Sequence, residues 1–315
     1  NTQKIASEIE RNGGILNGFT SDNTTAYWCK MPSRHLNIAL DVLSDMVKNP
    51  LFDKKELEKE RKVIFEEIKM RKDNPRIYVY DKIQGYLYKP PFGTSLIGTY
   101  ESMNSLDRNQ ILEKFRRVYC PNNLVLCVVG NADFGKIASF AEKNFGNEKG
   151  KISLPSIQLK NEESIEERDG IDQANIVFAY HAPLVQDRLS YAAIILNTLM
   201  AQGMSSRLFS EIREKRNLAY AVKGDVNITK DFAYNMIYIG AMKKNIEKIK
   251  SLILEEFDKV ASSLGEKELT AVKNQIIGNH QISMEDSQGQ MANLLLHEID
   301  RKAEDFYNFE KKILD

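Results

Sequence analysis

Two spacings of apolar residues alternate along this chain. In HLNIALDVLSDMV from His35 and IEKIKSLILEEF from Ile246 they return every three or four positions, which predicts amphipathic helices. In NTTAYWCKM (23–31) and DFAYNMIYIGAM (231–242) they alternate position by position, which predicts strands with one covered face. Both spacings occur twice, in the same order. A helix-to-strand passage containing Ser7-Glu8-Ile9 recurs at Ser210-Glu211-Ile212; each is followed by the alternating stretch, the amphipathic helix and a second helix, ELEKERKVIFEEIKM from Glu56 or ELTAVKNQIIGNH from Glu268. The offset drifts from 203 residues at Ser7 to 212 at Glu56, a change that small loop insertions absorb. The chain therefore reads as a duplication of one unit.

A duplication also predicts what each copy should contain. Before its Ser-Glu-Ile the second copy has a strand, Ile176 to Tyr180, and a helix, Leu189 to Met200, where the first has only six residues. A strand and a helix, roughly 40 residues together, are expected ahead of Asn1 in the natural protein. After its long helices the first copy continues into a helix (109–118) and an apolar strand, Asn123 to Val129; the second stops before any such strand, so further strand sequence is expected beyond Asp315. The polar stretch GKISLPSIQLKNEESIEERDG (150–170) reads as the linker. The expected domains are 1–155 and 168–315, each α+β, an antiparallel sheet with helices on one face.

Composition narrows the function classes. The 315 residues include 44 basic and 44 acidic side chains, and zero net charge argues against a nucleic-acid partner. No apolar run approaches a membrane span or forms a signal peptide. Cys29, Cys120 and Cys127 read as free thiols in a reducing, cytoplasmic compartment.

The helix from about Lys54 to Asn74 carries the most informative polar residues. Glu60 and Glu67 are seven residues apart and share a face with Leu57 and Ile64. A carboxylate turned toward a core needs a partner or a metal; the alternative is a solvated helix laced with ion pairs. The second copy has Val272 and Asn279 at these places. His35, His181, His280 and His297 form no His-x-x-Glu-His or His-Glu-x-x-His pair and read as structural or surface residues. Arg213 is expected to end a helix and Tyr220 to start a strand; together they could donate hydrogen bonds to a polarised carbonyl, or be a surface Arg and a packed Tyr. ILNGFTS (15–21), after a Gly13-Gly14 helix stop, is an ordinary strand or an edge that accepts an extended peptide.

Four segments in this order, GGILNGFTSDNTTAYW, NPLFDKKELEKERKVIFEEIKM, YCPNNLVLCVVGN and GMSSRLFSEIREKRNLAYAV, resemble the pitrilysin/insulinase family of zinc metallopeptidases, the inverzincins, which includes mitochondrial processing peptidases. The resemblance implies two homologous halves facing as a clamshell and a zinc endopeptidase acting on peptides or presequence-like segments of unfolded protein. It implies Glu67 as the distal Zn2+ ligand, Glu60 as the acid orienting a ligand, Arg213 and Tyr220 as the pair reaching the scissile carbonyl, and Asn17, Gly18 and Phe19 as the strand pairing with substrate. The two His ligands and the general base of the inverted His-x-x-Glu-His motif are then expected upstream of Asn1, so the chain alone is expected to be inactive. The alternative is a non-catalytic subunit of a processing-peptidase-like heterodimer; homodimers also occur among chains of this kind.

Overall fold

The computed structural model describes residues 2–146, 149–152, 156–300 and 302–315. In chain order the elements are α1 (Thr2–Glu10), β1 (Ile15–Thr20), β2 (Thr25–Lys30), α2 (Leu36–Lys48), α3 (Lys54–Asp73), α4 (Pro75–Leu87), α5 (Tyr100–Ser105), α6 (Arg108–Val118), α7 (Phe134–Phe145), β3 (Gln173–His181), α8 (Leu189–Ala201), β4 (Ala219–Ile228), β5 (Ala233–Met242), α9 (Ile246–Ser263), α10 (Glu266–Ser283), α11 (Ser287–Asp300) and α12 (Phe309–Leu314). The class is α+β with small antiparallel sheets, as the two spacings predict. Helix starts follow local chemistry: Asn74 accepts from the Ile77 amide with Pro75 at the first helical position, and Asp107 and Gln110 cap α6 reciprocally.

The residues group into two compact units that differ from the two sequence copies. One comprises Asn1–Lys69, Leu96–Pro155 and Ser287–Ala292; the other comprises Met70–Ser95, Ser156–Asp286 and Asn293–Asp315.

In the first unit, α1 stops at Gly13, whose φ of 73° is a left-handed conformation suited to glycine. β1 and β2 then form a two-stranded antiparallel hairpin with Asn17 opposite Trp28 and Gly18 opposite Tyr27. Helices α1 and α2 pack against it. Residues 124–129, expected as an apolar strand, have no ladder partner among the described residues and stay irregular, with Val125 and Leu126 exposed. An apolar run makes a strand only where a neighbour takes its amides and carbonyls.

In the second unit the strand order is β3-β5-β4, all antiparallel. Ile237, Ile239 and Ala241 of β5 face Met200 and Ala201 of α8 and Ile249, Leu252 and Ile253 of α9. The alternate residues Tyr234 and Met236 face Leu87 and Tyr88 at the end of α4. The central strand is thus covered on both sides and buried from Ala233 to Ala241, which corrects the expectation of helices on one face only. The expected linker is corrected as well. The Lys89 amide donates to Gln158 O at 2.9 Å, Lys160 N donates to Leu87 O at 2.8 Å, and Ile157 joins the α4 core, so residues 157–160 are an integral edge of this unit. Residues 153–155 of that stretch lie outside the described ones.

Candidate functional site

Arg213 and Tyr220 sit in two local departures from regular backbone. Phe209–Glu214 is a π-helical turn, a wider coil that recurs at functional sites. Its Phe209 and Ile212 are buried and anchor it, while Arg213 faces outward with its guanidinium 4.8 Å from the Phe209 ring centre. The chain reverses at Asn217, whose φ is 50°, and Leu218 N donates to Ile212 O at 2.9 Å. β4 then begins with a bulge. Ala219 pairs with Ala241 and Ala221 with Gly240, so Tyr220 is the extra residue and its side chain is re-aimed.

Both residues line one open cavity of about 420 Å³, whose wall is the end of α8 through Met204 and the first half of β4 to Asp225. Tyr220 is half exposed there, at 47%. Asp225 accepts from the Tyr80 hydroxyl at 3.0 Å. Burial, and then the Asp225 charge, pushes the Tyr80 phenol up to about 12, so it stays a neutral donor. The site thus places a permanent cation and a phenol around one open cavity, the donor types that suit an oxygen acquiring negative charge.

The acidic pair is placed differently. Glu60 and Glu67 are both on α3, two turns apart, and both are exposed. The half-buried residues of that helix are Leu57, Arg61, Ile64, Phe65, Ile68 and Arg71. At 3.6 residues per turn the carboxylates lie roughly a quarter turn to the side of that stripe. The expectation that they turn toward a core is therefore corrected: they flank the covered face and are accessible. Neighbouring acids do form ion pairs three residues apart, Glu56 with Lys59 at 2.7 Å and Glu58 with Arg61 at 3.3 Å.

Asn17, Gly18 and Phe19 lie in the middle of β1, whose outer side has no strand partner among the described residues. A Cβ at Gly18 would stand 2.9 Å from Ala26 O, so glycine there permits close approach of the two hairpin strands. Among the described residues no group of three or more His, Cys, Asp or Glu could hold a metal ion. His35 precedes α2, His181 bonds Lys160 O at 2.9 Å, and His280 and His297 pack on Phe306. The described residues thus do not by themselves compose a complete zinc centre. The three cysteines are free thiols. No helix of the described residues is long and apolar enough to cross a membrane.

Comparison with known proteins decides the kinship. The profile described as Peptidase M16 inactive domain matches residues 105–276, and that of Insulinase (Peptidase family M16) matches residues 1–100. The chain belongs to the M16 peptidase family. A relative from Bacillus subtilis, described as the uncharacterized zinc protease YmxG, is 31% identical over 92% of this chain and 72% of its own length. Two solved structures share the fold. A protease from Helicobacter pylori matches with a TM-score of 0.89 at 21% identity over 99% of this chain and 78% of that one. A peptidase M16 inactive domain from Pseudomonas fluorescens matches with 0.82 at 20% identity over 99% and 79%.

Several site residues escape sequence reading. Phe209 under Arg213 and Asp225 at the cavity wall are indistinguishable from packing and surface residues until register is known. Gly240, inside an otherwise apolar strand, was a signal, because glycine there marks a bulge or a close approach.

Proposed function

We propose that this chain forms the body of a zinc-dependent endopeptidase of the M16 family, in which Arg213 and Tyr220 hold the carbonyl oxygen of an extended peptide. The observation that carries the reading is the shared cavity: two donors, each aimed by its own backbone irregularity, open onto one space. A guanidinium stays charged at any working pH, and a phenol donates one hydrogen bond. Both interactions strengthen as the carbonyl oxygen becomes an oxyanion, which lowers the barrier rather than merely binding the ground state. β1, with Asn17 to Phe19, would bind the peptide main chain by strand addition, giving affinity with little side-chain preference. Glu67 would contribute one carboxylate to the zinc, with Glu60 orienting a ligand; the described residues do not complete that centre, and no step is assigned through it.

The test uses the full-length protein and an unstructured peptide. Cleavage that a chelator abolishes, and that Arg213→Ala lowers about a hundredfold in kcat with KM little changed, supports the reading. Chelator-insensitive cleavage, or an Arg213→Ala variant with full activity, overturns it. A second reading, a non-catalytic partner subunit binding peptide or a homologous chain, draws on the inactive-domain description of the matching profile. It predicts peptide binding without cleavage in the full-length protein.

A further inference from the structure

Tyr220 belongs to β4, yet its ring lies across β5. A Cβ added at Gly240 would stand 2.3 Å from Tyr220 Cζ and 2.4 Å from its hydroxyl oxygen, and the third nearest atom is also in that ring. No other residue is among those nearest three. Glycine weakens a strand interior, so a glycine in the most buried strand calls for a local reason. Here the reason is the room that the tyrosine ring occupies.

Tyr238 lies two residues earlier on the same face of β5 and is 1% exposed. Its hydroxyl is 3.4 Å from that of Tyr220. The direction of this contact follows from the neighbours. Asn175 Nδ2 donates to Gln173 O at 3.2 Å, which turns Asn175 Oδ1 toward Tyr238, and the Tyr238 hydroxyl donates to it at 2.8 Å. A phenol has one proton. With that of Tyr238 taken by Asn175, the Tyr220 hydroxyl is the donor between the two tyrosines. The Tyr238 ring is itself fixed, with the Arg76 guanidinium 5.0 Å from its centre and the Tyr80 ring at 5.5 Å.

We propose that Gly240 and Tyr238 form a seat for Tyr220: the glycine supplies the floor that sets the ring plane, and the Tyr238 oxygen accepts the Tyr220 proton until a peptide carbonyl takes its place. This rests on the carbonyl-binding reading of Tyr220 given above. O–H···O bonds are strongest near about 2.7 to 2.8 Å. The 3.4 Å contact is weak, so it orients the hydroxyl and is surrendered at small cost. Tyr238 is thus a positioning residue that touches no substrate, and an incoming carbonyl exchanges partners with a protein oxygen already beside the ring.

A stability cycle and a kinetic series on the full-length protein test this together. Gly240→Ala should lower the urea midpoint when Tyr220 is present and leave it unchanged or raised when Tyr220→Ala has emptied the seat. Gly240→Ala and Tyr220→Phe should each reduce kcat for peptide cleavage about a hundredfold with KM nearly constant, and the double variant should be no worse than either. Tyr238→Phe, which keeps the ring, should reduce kcat a few-fold and shift the Tyr220 ζ-carbon resonance in a ring-labelled sample. Additive midpoints, kcat losses that multiply, or an unmoved Tyr220 resonance in Tyr238→Phe overturn the seat. A wild-type protein that cleaves no peptide, with the stability cycle still non-additive, overturns the carbonyl reading and leaves the ring's floor assigned, so the two failures are told apart.

Discussion

The helix with the acidic pair and the sheet with the Arg–Tyr pair are built to opposite plans. No residue of α3 is fully buried, and Glu60 and Glu67 project from its flank. Tyr220 and Arg213 rise from a strand bulge and a π-helical turn backed by Phe209, Ile212, Ile237 and Ile239, all buried. One pair is exposed on a helix flank; the other stands on backbone that a buried core backs. The difference teaches where each chemistry draws its precision. A donor pair that must meet an oxygen at hydrogen-bond distance gains from a rigid base. A carboxylate ligand gains its geometry from the metal and the other ligands once they are present.

The contrast can be broken first in the packing. Ile237→Ala, at a site with no exposure, should lower unfolding stability by about 2 to 5 kcal/mol, whereas Ile64→Ala on half-buried α3 should stay below about 1.5 kcal/mol. Equal losses in urea denaturation would erase the distinction. Chemistry comes next. Glu67→Gln should reduce the zinc content of the purified full-length protein while leaving its urea midpoint within about 0.5 kcal/mol, because an exposed carboxylate holds nothing in the fold. A large stability loss in that variant would mean the acid is structural. Glu60→Gln should weaken zinc retention about tenfold, measured by competition with a chelator.

The smallest effect is electrostatic and lies in the sheet half. Arg207 donates to both oxygens of Glu268, at 2.7 and 2.6 Å, and this pairing holds the Glu268 carboxyl below its usual 4.5. A carboxyl lowered in the folded state adds stability above its unfolded value, and that stability is lost as pH falls through the lower folded value. Acidifying from just above 4.5 should therefore weaken the wild-type protein more than Glu268→Gln, read as the urea midpoint against pH. A wild-type protein and variant with parallel acid limbs would remove the pair from the account.

Much of this was legible in the order of residues. Helical spacing located α2, α3, α9 and α10, alternation located β2 and β5, and Gly13-Gly14 marked the stop before β1. These signals are local, since they depend on residues no more than four apart. What escaped depends on partners far along the chain. Residues 124–129 are apolar enough for a strand but lack a neighbour to pair with. The stretch near Leu159 is polar enough for a linker but pairs with Tyr88. Glu60 and Glu67 do share a face, yet the stripe runs through Arg61 and Ile68 rather than through them, and which helix side is covered depends on distant contacts such as that of Arg61 with Leu106 O at 2.9 Å. The Tyr220 bulge was unreadable, since it exists only in the pairing of Ala219 with Ala241 and Ala221 with Gly240.

β5 has one last implication. A strand shielded above and below from Ala233 to Ala241 gives solvent no partial route to its amides, so they exchange with deuterium only when the whole unit unfolds. The loop around Met204, which is 79% exposed, has no such cover. Any reshaping of the cavity mouth on meeting a ligand is then expected in that rim rather than in the buried strand behind it.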